Sequence, residues 1–489
     1  MSEGAFWLGI DLGTSGVKTL MIDARQEVVA VAEASLAVSR PHPGWSEQNP
    51  ADWWLATQNT LDALMAAEPS RMARVRGIGL SGQQHGATLL DAQDRVLRPC
   101  ILWNDGRAWE ECEILDARGD FRGITGNVLM PGTTAPKLEW VRRHEPEIFE
   151  KIAKVLLPKD YLRLCLTGEY LSDMSDSAGT LWMDTAARAW SPALLSASAL
   201  SMDQMPGLVE GSAPAGRLRP QLAARWGMAE APVLAGGGGD NAASAAGVGT
   251  LRPGAGFASL GTSGVLFVST AGFAPNTADA VHAFCHSVPD TWHQMGVILS
   301  ATDSLNWLSR MSGRKPAELS AGIDPAQPAR APLTFLPYLS GERTPHNDAG
   351  ARGAFVGLSQ ASEIGDLARA VLEGVAYAFA DSFAALEKAG TAPKTVYAIG
   401  GGARSRAWVQ IIADATGSAL HLPKAGDFGA AFGAARLGHC AAEGVDPFAF
   451  CTAAPIEATV QPDPAMAGYY AAGIARYRAL YPACRPAMG

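Results

Sequence analysis

The chain has few of the features that mark secreted or membrane-spanning proteins. Its seven cysteines are scattered over 489 residues with no Cys-x-x-Cys pair, so we expect reduced thiols and no disulfide framework. No uninterrupted apolar run approaches the roughly 18 residues that a membrane-spanning helix needs. No basic and apolar leader precedes the first periodic segment, so we expect no signal peptide. These absences favour a cytoplasmic protein with no membrane partner.

Charge of one sign is not concentrated anywhere in the chain. The 39 Lys and Arg residues and 48 Asp and Glu residues give a formal net charge of -9, without a run of like charges. Because binding to a phosphate backbone needs a concentrated basic face, we expect no nucleic-acid partner. At roughly 100–200 residues per domain, the length predicts two or three globular units, large enough to surround a cleft.

The sequence pattern of the N-terminal region predicts three strands followed by a helix. Residues 6–11, 17–22 and 28–31 form β-like runs separated by turns, which predicts an antiparallel meander. Asn49 stands before a proline and an acidic residue, the pattern of an N-cap, and apolar residues then continue to Met65. We therefore expect a helix that covers the meander.

A hexapeptide that occurs twice gives the clearest view of the domain organisation. Leu-Gly-Thr-Ser-Gly-Val stands at residues 12–17 and again at 260–265, each time after a β-like run. Glycine is common here, with 53 residues, so two similar turns could be a coincidence. Six consecutive identities in matching contexts favour duplication. We expect an α/β protein with two lobes of related fold, residues 1–250 and 251–445, a cleft between them, and a C-terminal helical tail at 446–489.

Three further segments bear on how these parts are joined. Residues 247–256 link the predicted lobes, and their composition suits a moving hinge and an ordinary surface loop equally. Between a possible cap at Ser362 and Gly390, apolar residues recur at spacings of three and four, which predicts a long amphipathic helix. We expect residues 465–481 to pack on their own lobe, with packing on a second copy of the chain, in a homodimer, as the alternative.

Each hexapeptide has the composition of a phosphate-binding turn, because Gly, Ser and Thr leave backbone N–H groups open to phosphate oxygens. Neither copy is a Walker A loop, since Val17 separates Gly16 from Lys18. One position breaks the symmetry: Asp11 precedes the first copy, whereas Ser259 precedes the second.

A third glycine cluster, at residues 400–402, follows the strand-like segment 396–399 and precedes a helix that carries Trp408. A strand, a glycine turn and a helix N-terminus together suit an adenosine or its phosphates. Tight packing of the strand against the helix is the alternative.

A fourth glycine run leads into a candidate catalytic acid. Residues 236–239 are glycines, and Asp240 and Asn241 then open an Ala-rich helix. An Asp at such a junction is most often only an N-cap. The glycines, however, clear side chains from around the carboxylate, so that a substrate can approach it. We expect the helix dipole to hold Asp240 ionised, as a proton acceptor for phosphoryl transfer.

Polar and aromatic residues cluster in four loops that would suit a polyol. These loops are residues 45–48, 83–85, 103–107 and 341–346. A sugar needs several hydrogen-bonding groups together with an apolar or aromatic face for its carbons. Each loop alone is more commonly a solvated turn. Trp45 and Trp103 are by default core residues, and a lone His85 is more commonly structural.

Three longer motifs resemble those of one enzyme family, the FGGY carbohydrate kinases. Residues 10–16 are similar to the family's opening phosphate loop, residues 132–144 to its first signature and residues 353–373 to its second. The resemblance covers nearly the whole chain. It implies the duplicated ribonuclease H-like fold shared by actin, heat-shock chaperones and hexokinase, with the two hexapeptides as a pair of phosphate loops beside an interlobe cleft.

Within the family, the polyol-type loops are most similar to those of the xylulokinases. The similar segments are residues 44–48, 84–86, 103–107 and 339–345. The resemblance implies in-line phosphorylation of D-xylulose at its C5 hydroxyl, with ATP as donor and Mg²⁺ as cofactor. Two positions depart from the pattern: Gln84 stands where Met is common, and the glycine run before Asp240 is one residue longer.

The resemblance also assigns roles to individual residues. Asp240 is the general base, and Asp11 is the second catalytic residue, which holds Mg²⁺ through water. The sugar-binding residues are Gln84, His85, Trp103, Asp105, Asp240 and Asn241. The nucleotide-binding residues are Gly13, Thr14, Ser15, Lys18, Gly261, Thr262, Gly401, Gly402, Ala403 and Ser405.

Two alternatives remain at this point. One is an FGGY kinase for another ketopentose or polyol, such as ribulose, a pentitol or a tetritol, because nothing in the loops selects one stereoisomer. The other is an actin-like or chaperone-like ATPase, which would need no polyol-facing residues and no base across the cleft from the nucleotide. The loops at 84–85, 103–107 and 240–241 favour the kinase.

Overall fold

The computed structural model describes residues 4–330, 332–424 and 428–488. The strands are Phe6–Leu12 (β1), Gly16–Ile22 (β2), Val28–Ser35 (β3), Glu47–Gln48 (β4), Val75–Gly82 (β5), Thr88–Leu90 (β6), Cys100–Ile101 (β7), Lys154–Leu156 (β8), Leu171–Asp173 (β9), Met183–Asp184 (β10), Ala189–Trp190 (β11), Gly207–Val209 (β12), Pro214–Arg217 (β13), Val233–Ala235 (β14), Gly238–Gly239 (β15), Gly256–Leu260 (β16), Gly264–Thr270 (β17), His282–Cys285 (β18), Trp292–Ile298 (β19), Thr334–Leu336 (β20), Ala354–Val356 (β21), Thr395–Ile399 (β22), Ala419–Pro423 (β23) and Ile456–Val460 (β24).

The helices are Pro50–Ala67 (α1), Pro69–Met72 (α2), Trp109–Asp116 (α3), Phe121–Thr125 (α4), Thr134–His144 (α5), Pro146–Phe149 (α6), Pro158–Thr167 (α7), Met174–Ala178 (α8), Pro192–Ala197 (α9), Pro220–Arg225 (α10), Asp240–Val248 (α11), Thr302–Ser312 (α12), Pro316–Ala321 (α13), Ile364–Lys388 (α14), Arg406–Thr416 (α15), Ala430–Glu443 (α16), Pro447–Phe450 (α17) and Ala467–Cys484 (α18). Short 3₁₀ turns are Met202–Gln204, Gly401–Arg404, Pro464–Met466 and Arg485–Ala487. None of the helices within the described ranges is long and apolar enough to cross a membrane.

Two sheets, each of seven strands among the described residues, form the centres of two lobes. The first has the order β13-β14-β5-β1-β2-β3, with β15 also paired to β5, and the second has the order β18-β19-β17-β16-β22-β23-β24. Both sheets contain an antiparallel hairpin, β1–β2 or β16–β17. On one side the hairpin pairs with antiparallel strands, β3 in the first sheet and β19 followed by β18 in the second. On the other side come two parallel strands and then an antiparallel edge strand. The hexapeptides form the tips of these hairpins, so the predicted duplication is confirmed by the topology.

The local predictions near the N-terminus agree with the structure. The strands β1, β2 and β3 form the antiparallel meander. Asn49 caps α1, and its side chain accepts a hydrogen bond of 3.1 Å from Ala51 N.

The predicted start of the long helix α14 was wrong by one residue. Its N-cap is Glu363, whose backbone N–H donates to Asp366 Oδ2 at 2.9 Å. Ser362 instead accepts a hydrogen bond from Ser359 N within the preceding loop. The two side-chain hydrogen bonds therefore decide where the helix begins.

The C-terminal helix α18 packs against the second lobe. It contacts α14, α15 and β20. Tyr470 and Tyr477 of this helix are buried in the large apolar core that surrounds α14.

Helix α16 crosses from the second lobe to the first sheet. It packs on β1, β5 and α11 at backbone distance, and glycines on both sides make this possible. A Cβ atom at Gly9 would lie 1.8 Å from Ala431 O, and one at Gly433 would lie 1.7 Å from Ala243 O. The lobes are therefore joined by the α11–α16 contact as well as by the segment after Val248. The residue limits of the lobes stay a prediction.

Candidate active site

The two predicted catalytic carboxylates reach the same end of strand β5 from opposite sides. In the pairing register, Ser81 lies between Asp11 of β1 and Gly238 of β15. Asp240 follows β15 directly as the first residue of α11. Ser81 Oγ donates a hydrogen bond of 2.8 Å to Asp11 Oδ1. The sheet topology thus brings Asp11 and Asp240 together at one end of the first sheet.

The ionisation of Asp240 differs from the prediction. Burial, reinforced by the negative charge of Asp11, raises the pKa of Asp240 to about 7. Asn241 opposes this increase, because its backbone N and its Nδ2 donate to Asp240 Oδ1 at 2.7 and 2.8 Å. The expectation that the helix dipole keeps the carboxylate ionised was wrong, since desolvation and a like charge outweigh it. A carboxyl group with this pKa can take up and release a proton near neutral pH.

The glycine run before Asp240 leaves room for a neighbouring side chain. A Cβ atom at Gly239 would lie 2.6 Å from Gln84 Nε2, and one at Gly237, where φ is +77°, would lie 2.1 Å from Leu80 O. Glycine is therefore required at Gly237, where the neighbour is backbone, whereas at Gly239 its missing side chain leaves the space that the Gln84 amide occupies. As a result, the buried Gln84 amide lies directly beside the residue that precedes Asp240.

His85 is a neutral imidazole that faces the second lobe. Its Nδ1 lies 2.8 Å from Gly179 O, so Nδ1 carries the proton and Nε2 is an acceptor. Burial and the charge of Lys137 lower the pKa of His85 to about 3. Thr134 Oγ1 and Lys137 Nζ both donate to the His85 carbonyl oxygen. These contacts hold the ring 6.3 Å, centroid to centroid, from that of His282 on β18.

Trp103 is tied to the first phosphate turn and is not among the buried core residues. Its Nε1 donates to Thr14 Oγ1 at 3.0 Å, and Thr14 Oγ1 donates to Gln83 Oε1 at 3.0 Å. Gln83 Nε2 in turn donates to Gln48 Oε1, also at 3.0 Å. The loops that contain residues 48, 83 and 103 are thereby linked to one hairpin tip.

Asp105 is buried, and protein donors surround its carboxylate. Oδ2 accepts from Ser46 N at 2.6 Å and from Arg107 Nη2 at 2.7 Å. Oδ1 accepts from the backbone N and the Nε of Arg107, both at 2.9 Å. The guanidinium carbon of Arg107 lies 3.6 Å from the ring centroid of Trp45. Asp105 therefore positions an Arg–Trp pair, and its predicted contact with the sugar stays a prediction.

Both hexapeptide turns present free backbone donors. In the described part of the chain, the N–H groups of Thr14, Ser15, Gly261 and Thr262 donate to no protein acceptor. The carbonyl groups of Gly261 and Thr262 are satisfied, because they accept from the first amides of α12. Unpaired N–H groups at a turn are donors for an anion.

The third glycine cluster lies against the second hexapeptide. Gly400 has a φ of +87°, and a Cβ atom there would lie 2.8 Å from Leu260 O; one at Gly402 would lie 2.8 Å from Leu260 Cβ. A cavity of about 480 Å³ beside this contact is lined by Thr302, Asn306, Ala317, Gly401, Gly402 and Ser405, among others. A larger cavity of about 810 Å³ reaches Ser244, Ser259, Gly400, Gly401, Ala403 and Lys424. Of the predicted nucleotide residues, Gly401 therefore borders both cavities, Gly402 and Ser405 border the first, and Ala403 borders the second.

Lys18 and Ser15 lie at the outer side of the first hairpin. Lys18 Nζ lies 3.6 Å from Glu33 Oε1 of the adjacent strand, and Ser15 O accepts from Leu36 N at 2.9 Å. Their role in nucleotide binding stays a prediction.

A fully buried ion cluster behind Asp240 was not predicted. Lys159 Nζ contacts Asp160 Oδ1 at 2.6 Å, Asp173 Oδ1 at 2.8 Å and Asp176 Oδ2 at 3.4 Å. Arg163 donates to the carbonyl groups of Ala235 and Gly236, at 2.8 and 2.6 Å. The cluster thus anchors the glycine run. A signal was present, since Lys159, Asp160 and Arg163 interrupt the apolar pattern of α7.

Comparison with known proteins agrees with this geometry. Residues 6–247 match the N-terminal domain of the FGGY family of carbohydrate kinases, and residues 256–442 match its C-terminal domain. The chain belongs to the FGGY family of carbohydrate kinases. The family and the two-lobed fold predicted from the sequence are confirmed, and kinases of this family use ATP.

Close relatives extend the match over nearly the full length. The chain is 54% identical to the xylulose kinase of Escherichia coli (strain K12) over 89% of this chain and 90% of that protein. It is 49% identical to the xylulose kinase of Klebsiella pneumoniae over 99% and 100% of the two chains. A crystal structure of a "xyloylose kinase" from Brucella ovis superposes with a TM-score of 0.96, at 56% identity, over 98% of this chain and 99% of the other.

Proposed function

We propose that the protein transfers the γ-phosphoryl group of ATP to O5 of D-xylulose and releases D-xylulose 5-phosphate. The choice of substrate is supported by two xylulose kinases that are 54% and 49% identical over 89% and 99% of this chain. The observation that supports the chemistry is the position of Asp240 beside Asp11, at the end of β5. Both hairpin tips also present N–H groups without a protein acceptor in the described ranges.

The sugar is held from the first lobe in this proposal. Asp240 accepts the proton of the O5 hydroxyl as that oxygen attacks phosphorus, and Asn241 keeps the carboxylate oriented through its two hydrogen bonds. The Gln84 amide lies beside Gly239 and is placed for a hydroxyl next to O5. His85 Nε2 can accept a hydrogen bond from a hydroxyl farther along the chain of the sugar. Trp103 supplies an aromatic wall, and Asp105 keeps the neighbouring loop in place.

The nucleotide lies between the two hairpin tips. The N–H groups of Thr14 and Ser15 from one lobe, and of Gly261 and Thr262 from the other, bind its phosphate oxygens. The adenosine occupies the space around Gly401, with Gly402, Ala403 and Ser405 in its wall. Lys18 adds positive charge at the edge of the first turn.

Asp11 is placed to hold Mg²⁺ through water. Among the described residues, no group of three or more His, Cys, Asp or Glu side chains could hold a metal ion by itself. This fits a magnesium ion that is bound mainly by phosphates and waters and by a single protein carboxylate. Such an ion, when bound, neutralises charge on the phosphates. Because ATP and free pentoses are cytoplasmic metabolites, we also place the protein in the cytoplasm.

The proposal is tested with a panel of acceptors at fixed Mg-ATP: D-xylulose, D-ribulose, L-ribulose, D-arabinitol, xylitol and erythritol. We expect the highest kcat/KM with D-xylulose, and ³¹P NMR of the product should place the phosphate on C5. A higher kcat/KM with ribulose or a polyol would contradict the substrate. ADP release that no sugar accelerates would instead favour the ATPase alternative.

A further inference from the structure

Arg343 is a cation that the second lobe brings to the sugar end of the cleft. It lies in the connection between β20 and β21, and its neighbour Thr344 fixes that connection to the second sheet. Thr344 N donates to Val297 O and Thr344 Oγ1 to Ala280 O, both at 3.1 Å. Val297 N donates back to Thr344 Oγ1 at 3.0 Å. The position of Arg343 is therefore set by the strands of the second lobe.

The guanidinium group of Arg343 has unused donors. Its Nη1 lies 3.3 Å from His282 Nε2, and within the described ranges this is the one hydrogen bond that the guanidinium forms. The adjacent Glu342 Oε1 is occupied by the backbone N–H groups of Leu299 and Arg343, at 3.0 and 2.8 Å. A guanidinium group carries five N–H donors, so most of those of Arg343 remain available to a ligand.

The group also stays charged at neutral pH. Burial lowers the pKa of Arg343 to about 10, and Glu342 opposes the decrease. Burial also lowers the pKa of His282 well below its usual value, so that His282 is a neutral acceptor. His85 is likewise neutral, and its ring lies 6.3 Å from that of His282. Lys137 approaches His85 as well, but its Nζ contacts the backbone carbonyl group.

The chemistry of the substrate gives this cation a specific partner. A 2-ketopentose closes its furanose ring through O5, so O5 is a free hydroxyl only in the open-chain form, in which C2 is a carbonyl. Asp240 marks the O5 end of the sugar in the proposed function, and Gln84 lies beside Gly239, the residue before Asp240. The next residue, His85, has its ring 6.3 Å from that of His282, which Arg343 contacts. The C2 end of an extended ketose therefore points towards the guanidinium group.

We propose that Arg343 donates a hydrogen bond to the C2 carbonyl oxygen of the open-chain sugar and so selects 2-ketopentoses over pentitols. This inference rests on the proposed function. It adds a contact from the second lobe, since Asp240, Gln84 and His85 come from the first lobe and Arg343 from the second.

Binding of D-xylulose and of xylitol, its analogue with a hydroxyl group at C2, tests the inference without a need for turnover. The dissociation constants are measured by tryptophan fluorescence for the wild type, for Arg343→Gln and for Arg343→Lys. In Arg343→Gln we expect the Kd of D-xylulose to rise about tenfold or more, and that of xylitol to change by about twofold at most. Arg343→Lys keeps the charge and should recover part of the loss.

Arg352→Gln is the matched control. Arg352 lies in the same connection between β20 and β21, and its Nη1 donates to the carbonyl groups of Ala349 and Ala351. It should leave both constants unchanged. Thermal unfolding of each variant checks the fold, and Arg343→Lys provides the comparison if Arg343→Gln does not fold.

The results separate this inference from the proposed function. If the wild type does not phosphorylate D-xylulose, the proposed function fails whatever the Arg343 variants do. If the wild type does phosphorylate D-xylulose, two results would overturn the carbonyl contact alone. One is that the Arg343 variants raise the dissociation constants of D-xylulose and xylitol equally, and the other is that they raise neither.

Discussion

Trp103 Nε1 donates a 3.0 Å hydrogen bond to Thr14 Oγ1, so the loop at residues 103–107 is attached directly to the turn of the first hexapeptide. The same hydroxyl donates to Gln83 Oε1 at 3.0 Å, at the end of the strand that carries Ser81. A hydroxyl group has one proton, so these two partners fix its direction. Thr14 thereby connects Trp103, the proposed wall of the sugar site, with the turn that we propose binds phosphate.

Replacing Thr14 should therefore weaken the binding of both substrates, D-xylulose and ATP. Thr14→Val leaves the Trp103 indole N–H and the Gln83 carbonyl oxygen unpaired, at a cost of about 1 kcal/mol or more, or roughly fivefold in KM. We expect the KM values of D-xylulose and ATP to rise together in steady-state kinetics. Thr14→Ser keeps the hydroxyl group and should stay close to the wild type. A rise in the KM of ATP alone would show that Thr14 does not couple the two sites.

The features that sequence could predict are those encoded by adjacent residues. The Gly, Ser and Thr residues of the duplicated hexapeptide favour a tight turn by themselves. The repeat therefore predicted two hairpins in equivalent positions of two similar sheets. The glycine run before Asp240 likewise places a carboxyl group at a helix start.

What the sequence did not reveal depends on partners distant along the chain. The pKa of Asp240 depends on burial and on Asp11, and neither is visible in the residues around position 240. The donors that surround Asp105 include Ser46, which belongs to another loop. Helix α16 packs closely on the first sheet because glycines of the helix lie opposite backbone atoms of the neighbouring elements, and glycines of the sheet lie opposite the helix backbone. These contacts join residues far apart in the chain, so no local sequence pattern indicates them.

The pKa of Asp240 predicts an acid limb in the pH profile. A general base must be deprotonated, so kcat/KM for D-xylulose should fall about tenfold per pH unit below the pKa of Asp240, which burial raises above the usual range of a carboxyl group. Asp240→Asn cannot accept the proton, and should lower kcat by about 10²- to 10⁴-fold while the melting temperature stays near that of the wild type. A profile that is flat from about pH 5 to 8, or a variant with near-wild-type turnover, would show that Asp240 is not the base.

Asp105→Asn should reveal a structural role through stability. Removing the charge takes one of two carboxylate partners from the buried Arg107 guanidinium, which keeps Glu47 Oε1 at 2.7 Å, so we expect a loss of about 2–3 kcal/mol, below the roughly 3–5 kcal/mol of a fully broken buried pair. Asp116→Asn is the control, because Asp116 forms a similar ion pair with Arg122, at 2.9 Å, on the surface. There we expect about 1 kcal/mol or less. Urea unfolding measures both. An Asp105→Asn protein of wild-type stability with a raised KM for D-xylulose would instead support the predicted sugar contact.

The contact between α11 and α16 should be intolerant of a single methyl group. A Cβ atom at Gly433 would lie 1.7 Å from Ala243 O, so Gly433→Ala must push apart the helix that carries Asp240 and the helix that rests on the first sheet. We expect a loss of about 3 kcal/mol in the free energy of unfolding and a lower kcat. Gly468→Ala makes the same change in α18, where nothing lies within 4 Å of the new atom. There the better helix propensity of alanine should leave stability unchanged or raise it by up to about 1 kcal/mol. Equal unfolding midpoints for the two variants in urea would mean that the lobes are not joined by direct contact of these two backbones.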